Sequence, residues 1–296
     1  MVTMVQKTTK SPKRSIPTWA AGLHDRLAQD RPVVVTRADI GAYMADVGTN
    51  RDVDSTVKQL QRLGWLVPVH IKGAWAYLPP GEQEITDRYI DLRAWKARDP
   101  EAVFALAGEA AAWHLGYLDR EFSGPPAVWL PGETRMPFGL RAYVSEVKLG
   151  WNADKIKQLV PTTQLLHQRH LDLTKWAGGL PAFGPEALVV QLSTRVKSFR
   201  AWADLVSHIE QLADDSDTER LSQLLSGQSR SAWQRAAYLL YCGGHHDDGL
   251  ALLARRPTPN MLDVVFGDGD NAAVWVPEFR IVDRLIAPLQ GKLGKA

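Results

Sequence analysis

Hydrophobic positions near the start of the chain predict two helices separated by a strand. Three apolar residues recur at the i, i+4 and i+8 spacing of one helix face: Trp19, Leu23 and Leu27. The β-branched run at 33–35 predicts a short strand. The sequence from Thr36 to Asp39 fits a capping box, and it begins a second helix that ends at Gly48. The positions of this helix expected to face inward are Ile40, Met44 and Val47.

A third helix and a hairpin follow. Asp52 and the polar residues before it supply the cap and the acidic first turn of a helix that Gly64 closes. Residues 65–78 predict two short strands around a Lys72-Gly73 turn, and Pro68 places the first of them at a sheet edge. The order helix, strand, helix, turn, helix, hairpin is that of a winged helix-turn-helix.

A stretch rich in Pro, Gly and Glu divides the predicted elements into two domains. The sequence predicts a flexible basic arm at 1–16, a winged-helix domain at 17–80, a linker at 81–85 and a larger mixed domain at 86–296. Helical patterns in the larger domain fall at 86–98, 101–120, 162–176, 197–213, 217–226, 229–242 and 278–290. Strand-like runs fall at 127–130, 140–147, 188–192, 262–266 and 273–276. The expected fold class is α+β, and the topology of the larger domain stays open.

Charge is unevenly distributed along the chain. Residues 1–80 carry 11 Lys and Arg against 6 Asp and Glu, whereas the remainder carries 24 against 27. A basic front and a mildly acidic back suggest two surfaces with different partners. The single cysteine excludes an internal disulfide, and no apolar stretch is long enough for a secretory signal or a membrane span. We therefore expect a cytoplasmic protein with no membrane partner.

The third helix has the two faces that a DNA-recognition helix needs. Its packing side holds four apolar residues: Val53, Val57, Leu60 and Leu63. Its opposite side holds three cations and a hydroxyl: Arg51, Ser55, Lys58 and Arg62. Gln59 lies at the edge of this stripe and could pair with adenine in the major groove. Any surface helix has a polar face, so the stripe alone does not indicate DNA binding. The hairpin that follows it favours that interpretation.

The hairpin and the N-terminal arm add further candidate DNA contacts. His70 and Lys72 fall at or near the tip of the predicted wing, where a wing touches backbone or minor groove. Lys13 and Arg14 belong to the basic arm, which is either a solvated terminus or a segment that grips DNA. Some winged helices bind only protein, and that alternative stays open.

Residue patterns that could signal an enzyme are weak. His245 to Asp248 and the pair His167 and His170 have metal-ligand types but lack a complete ligand set. Asp268 and Asp270 resemble the paired acids of nucleotidyltransferases, but the chain contains no Gly-Ser dipeptide before them. P-loop and His-Glu-x-x-His patterns are missing, and Cys242 has no evident base. We therefore expect no catalytic residue, metal or cofactor.

The eleven tryptophans are ambiguous. Those expected in the larger domain are Trp113, Trp129, Trp151, Trp176, Trp202, Trp233 and Trp275. Tryptophan is common both in cores and at the energetic centres of protein interfaces, so sequence alone does not separate the two roles.

These elements together resemble the AbiEi-type antitoxins of bacterial type IV toxin–antitoxin systems, with a mycobacterial member expected. The resemblance rests on the capping segment 36–40, the basic third helix ending in 60–66, and a hairpin finishing in 77–79. Toward the C-terminus it rests on the helix 231–240 followed by Gly243-Gly244. It spans most of the chain, although the basic arm has no counterpart in the family pattern.

The resemblance implies that the first domain represses its own promoter and that the larger, antitoxin-like domain neutralises a nucleotidyltransferase-type toxin encoded nearby. Arg235 and Tyr238 are the candidate partner-binding residues, and the competing interpretation is that they pack and cap their own helix. The alternative function is a one-component transcriptional regulator whose C-terminal domain senses a small molecule in an apolar pocket. An enzyme tethered to DNA ranks last, because no site supports it.

Overall fold

The computed structural model describes residues 16–131, 134–149, 173–175, 179–226, 228–257, 259–268 and 272–293. The chain forms two compact units. The first comprises Met1–Ala102 together with Pro137–Leu140, and the second comprises Val103–Met136 and Arg141–Ala296. Helices and several β-sheets occur together, so the fold is mixed α and β.

Among its described residues, the first unit combines four helices with one small sheet. After a 3-10 turn at Thr18–Ala20, its helices are α1 (Ala21–Asp30), α2 (Arg37–Asp46), α3 (Val53–Arg62) and α4 (Ile90–Arg98). Its strands are β1 (Val34–Thr36), β2 (Leu66–Pro68) and β3 (Ala74–Tyr77), paired antiparallel in the order β1-β3-β2. The buried residues at its centre are Leu23, Leu27, Val35, Ile40, Met44, Val57, Leu60, Trp65, Leu66 and Tyr77.

Local chemistry sets the ends of α2 and α3. The Thr36 hydroxyl accepts from the backbone N–H of Asp39, whose carboxylate accepts in return from the Thr36 N–H at 2.8 Å, which is a complete capping box. Gly48 and Gly64 follow the two helices with φ of 66° and 77°. This left-handed conformation is strained for residues with a Cβ, which explains glycine at both positions.

Helix α4 packs on the sheet of the first unit, against β1 and β3. Its inward residues Leu92, Ala94 and Trp95 are buried. The first compact unit therefore continues to Ala102, past the Pro- and Gly-rich stretch at 81–85 where the sequence suggests a boundary. The domain limits 17–80 and 86–296 stay predictions.

The second unit contains the other two sheets and most of the helices. Its helices are α5 (Gly108–His114), α6 (Pro185–Thr194), α7 (Trp202–Ser207), α8 (Ile209–Asp214), α9 (Thr218–Leu225), α10 (Arg230–Cys242), α11 (His246–Ala254) and α12 (Ile286–Leu293). Its strands are β4 (Ala105–Ala107), β5 (Ala127–Trp129), β6 (Ser145–Val147), β7 (Leu173–Lys175), β8 (Pro181–Phe183), β9 (Val264–Phe266), β10 (Val274–Val276) and β11 (Ile281–Asp283). The sheet orders are β6-β5-β4-β8-β7 and β10-β11-β9, and both sheets mix parallel with antiparallel pairs.

Four sequence-based element assignments differ from the structure. The run 188–192, predicted as a strand, lies inside α6, where every residue from Glu186 to Ser193 is buried. A helix buried on all sides shows the same continuous apolar run as a buried strand, so periodicity could not separate them. The helical patterns at 101–120 and 278–290 each include a short strand, β4 and β11. The predicted helix at 162–176 lies mostly outside the described residues, and its described part, Leu173–Lys175, is strand β7.

Candidate functional site

Two polar contacts fix the N-terminus of α3. The Asp52 carboxylate accepts from the backbone N–H of Ser55 at 2.8 Å and caps the helix. Arg37, at the start of α2, donates through Nε to Asp54 at 2.8 Å, which ties the first turns of α2 and α3 together. This hydrogen bond holds the pKa of Asp54 below its ordinary value. This exposed ion pair therefore adds a polar contact to the packing of α3 against α2.

The two faces of α3 differ as its spacing predicts. Val57 and Leu60 are buried in the core of the first unit, and Val53 and Leu63 pack beside them. Its exposed residues are Ser55, Lys58 and Arg62, with Gln59 half-buried at the edge, and the exposed Arg51 lies just before the helix. This face consists of donors and cations and is open to solvent, as major-groove contact requires.

The candidate DNA-binding side chains in and just before α3 are not equally available. The Arg51 guanidinium lies 4.2 Å from the centroid of the Trp19 ring and donates to the Gln59 side chain at 3.3 Å. Lys58 and Arg62, in contrast, make no hydrogen bond or ion pair within the described part of the chain. These two cations can therefore meet phosphates or base edges without breaking a hydrogen bond or an ion pair of the described residues.

The β2–β3 loop is held by α4. The backbone N–H of His70 donates to one oxygen of Asp91, and its Nδ1 lies 2.8 Å from the other. Lys72, at the loop tip, is exposed. His70 thus helps to position the loop, which leaves Lys72 as the cation presented there. Lys13 and Arg14 lie outside the described residues.

In the second unit, Arg235 and Tyr238 lie on α10 and contact neighbouring segments. The Arg235 guanidinium donates to the carbonyl oxygens of Ser193 and Val265, at 3.2 and 3.0 Å. Tyr238 is 3% exposed, and its hydroxyl donates to the Asp283 carboxylate at 2.8 Å. Burial lowers the pKa of Arg235 and raises that of Tyr238. Both side chains join elements within the unit, and their role in partner binding stays a prediction.

The residues with catalytic or metal-binding chemistry also have structural contacts. His245 lies between the carboxylates of Asp214 and Asp248, and Asp268 pairs with Lys197 at 2.7 Å. Burial raises the pKa of the Cys242 thiol to about 12, so it is protonated near neutral pH and a poor nucleophile. Within the described residues, no three His, Cys, Asp or Glu side chains gather as a metal site. His167, His170 and Asp270 lie outside those residues.

Comparison with known proteins gives two matches. The profile of the AbiEi antitoxin C-terminal domain matches residues 102–242. The crystal structure of the RV2827C protein from Mycobacterium tuberculosis is 51% identical in sequence, covers 96% of this chain and 98% of that chain, and superimposes with a TM-score of 0.82. Among curated proteins the comparison finds no match.

The chain belongs to the AbiEi antitoxin family. The profile begins at the boundary of the second unit of this AbiEi-type antitoxin and ends at the last residue of α10. Gly243 and Gly244 follow directly, and the second has a φ of 89°. A Cβ on Gly243 would lie 2.6 Å from the Ile209 carbonyl oxygen, so the first glycine permits the close packing of α10 on α8.

Burial separates the tryptophans that sequence left ambiguous. Trp129, Trp202 and Trp233 are at most 6% exposed and belong to the core of the second unit. Trp275, on β10, is 49% exposed. It pairs across the strands with Val282 of β11, which pairs with the exposed Val265 of β9. Trp151 and Trp176 lie outside the described residues.

Two further observations bear on partners. A cavity of about 430 Å³ in the second unit is lined by residues that include Arg135, Arg141 and Glu146. Three charged side chains make it unlike the apolar pocket expected of a small-molecule sensor. None of the described helices combines the length and the hydropathy needed to cross a membrane.

Proposed function

We propose that this protein is a DNA-binding antitoxin that represses its own promoter through a winged helix-turn-helix in the first unit. The observation that carries the proposal is the exposed basic face of α3, where Lys58 and Arg62 have no hydrogen bond or ion pair among the described residues. The turn between α2 and α3, and the β2–β3 hairpin after them, support it, because a recognition helix and a wing follow each other in that order.

The second unit, in the same proposal, neutralises a nucleotidyltransferase-type toxin encoded nearby. Membership of the AbiEi antitoxin family supports a toxin partner. The C-terminal domain profile of that family matches residues 102–242, which lie largely in this unit. The unit has a hydrophobic core of its own, which supports a separate role for it. The cytoplasm, where both the promoter and the toxin occur, is the compartment in which we propose that it acts.

Salt dependence tests the DNA-binding half. The probe is a fluorescein-labelled duplex from the region upstream of the reading frame, and anisotropy gives the affinity of the full-length chain. If four to six phosphates are neutralised, log affinity falls with log salt at a slope of about −4 to −5. Affinity that does not respond to salt would count against DNA binding through Lys and Arg.

Co-expression tests the antitoxin half. The neighbouring reading frame is induced in a bacterial host with and without this chain, which should restore growth if the neighbour is a toxin. A chain carrying both Lys58→Ala and Arg62→Ala is the matched control, because it should still restore growth while it fails to repress a promoter reporter. A harmless neighbour, or toxicity that this chain does not relieve, would overturn the antitoxin assignment and leave the ligand-sensing regulator as the leading alternative.

A further inference from the structure

Phe138 is the most exposed large hydrophobic side chain among the described residues. It is 87% exposed, while no other exceeds 51%. Burial of a phenylalanine side chain contributes about 1.5–3 kcal/mol, so contact of this ring with a partner would be favourable. Phe138 lies in the short segment Pro137–Leu140, which belongs to the first unit although it comes late in the chain.

This segment lies against the β2–β3 loop. A Cβ on Gly139 would lie 2.0 Å from the carbonyl oxygen of His70, so only glycine allows the backbone to approach so closely. The His70 N–H is in turn bound by Asp91 of α4 at 2.8 Å. The loop is therefore supported from two sides, and Phe138 is presented next to it.

Two cations lie near Phe138 and the β2–β3 loop. Lys72 is exposed at the loop tip, and the exposed Arg98 ends α4 with its Nε 3.5 Å from where a Cβ on Gly73 would be. Neither side chain makes a hydrogen bond or an ion pair within the described residues. With Phe138 they line a groove of about 710 Å³, in which Asp99 is the acidic residue.

Resting on the function proposed above, we propose that Lys72, Arg98 and Phe138 form a second duplex-contacting surface, here called the Phe138 surface. Phe138 enters the minor groove and wedges into one base step, while Lys72 and Arg98 bind the phosphates on either side. A duplex fits this chemistry because its phosphates match two cations that have no ion pair among the described residues, and Phe side chains are used as wedges between base steps. A surface phenylalanine without a binding role would require neither the neighbouring cations nor the close approach of Gly139 to the His70 carbonyl oxygen.

The two kinds of contact have different salt signatures. A cation that neutralises a phosphate releases counterions, so its removal weakens binding and makes the salt slope shallower by about 0.9. Packing of an aromatic ring against bases releases no counterions. The Phe138→Ala variant should therefore lose affinity with an unchanged slope.

The test measures anisotropy of the full-length chain with the labelled upstream duplex, trimmed to the part that the wild type protects. We expect Phe138→Ala to bind about tenfold more weakly at an unchanged salt slope. Arg98→Ala should bind more weakly with a slope shallower by about 0.9. Matched controls come from the second unit: Trp275→Ala removes another exposed aromatic ring, Arg200→Ala another exposed cation, and both should bind like the wild type.

A second readout follows the bases directly. Replacing single adenines in the duplex by 2-aminopurine should show a rise in fluorescence at one base step with the wild type and none with Phe138→Ala. Wild-type affinity for Phe138→Ala, or an equal loss with Trp275→Ala, would overturn the inference. If the wild type binds and Arg62→Ala weakens binding while the Phe138 surface variants do not, only this inference fails. If the wild type does not bind the duplex, the proposed function itself fails.

Discussion

The hydroxyl of Tyr238 donates a 2.8 Å hydrogen bond to the carboxylate of Asp283, and both groups are buried. The same carboxylate accepts from the backbone N–H groups of Leu285, Ile286 and Ala287 at the start of α12. One buried pair therefore connects the helix that ends the antitoxin profile to the last helix of the chain.

Removal of this hydroxyl should destabilise the second unit. Tyr238→Phe leaves a buried carboxylate with one hydrogen bond fewer, and a hydrogen bond to a charged group contributes about 1.5–3 kcal/mol. We expect a loss of that size in the free energy of unfolding, measured with urea. Tyr241→Phe is the control, because no hydrogen bond of its hydroxyl occurs among the described residues. Tyr241→Phe should lower the free energy of unfolding by less than about 0.5 kcal/mol. Equal losses for the two variants would show that the Tyr238–Asp283 hydrogen bond does not stabilise the unit.

His245 should make stability depend on pH. Its Nε2 lies 2.6 Å from Asp214 and its Nδ1 3.1 Å from Asp248, and these hydrogen bonds raise its pKa above the ordinary 6.5. Because the folded-state pKa exceeds the unfolded value, this stabilisation is fully present below about pH 6.5 and is lost as pH rises through the raised pKa.

The measurement is the urea midpoint from about pH 5.5 to about pH 9, with His245→Gln as the comparison. The difference between wild type and variant should shrink as pH rises. A difference that stays constant or grows over this range would show that the two carboxylates do not stabilise protonated His245.

Gly243 should tolerate no side chain. In Gly243→Ala the new Cβ would lie 2.5 Å from the Cβ of Ala213 and 2.6 Å from the carbonyl oxygen of Ile209, so α8 must move away from α10. Overpacking of this kind costs about 1–3 kcal/mol, which urea unfolding would detect. Gly291→Ala in α12 is the control, because nothing lies within 4 Å of its Cβ position and alanine favours helix. A Gly243→Ala protein as stable as this control would refute the close-packing explanation.

Arg62 should contribute to binding through geometry as well as charge. If its guanidinium reads a guanine with two hydrogen bonds, Arg62→Ala should weaken binding to the specific duplex by about 1–3 kcal/mol. Arg62→Lys keeps the charge but not the paired donors, so it should keep the salt slope and lose discrimination between operator and unrelated duplex. Anisotropy with both duplexes measures this. If lysine restores full specificity, Arg62 acts only as a phosphate contact.

Sequence patterns predicted the helix ends between residues 36 and 64, because the signals for them are local. The capping box of Thr36 and Asp39 and the glycines after α2 and α3 act within one helical turn, so the residues themselves determine where these helices begin and end. The apolar and basic faces of α3 follow from helical spacing in the same way. In the second unit, α6 is buried on all sides and has no such alternation, so its sequence predicted the wrong element.

The sequence by itself therefore determined the caps, the two faces of α3, the short strands around the Lys72-Gly73 turn and the family. Tertiary structure decided what depends on residues far apart in the chain. It placed α4 on the first sheet, joined Tyr238 to Asp283, and set Phe138 beside the β2–β3 loop. Burial of apolar surface is favourable whatever the sequence separation of the residues that meet. A local sequence pattern therefore does not determine which surfaces pack together.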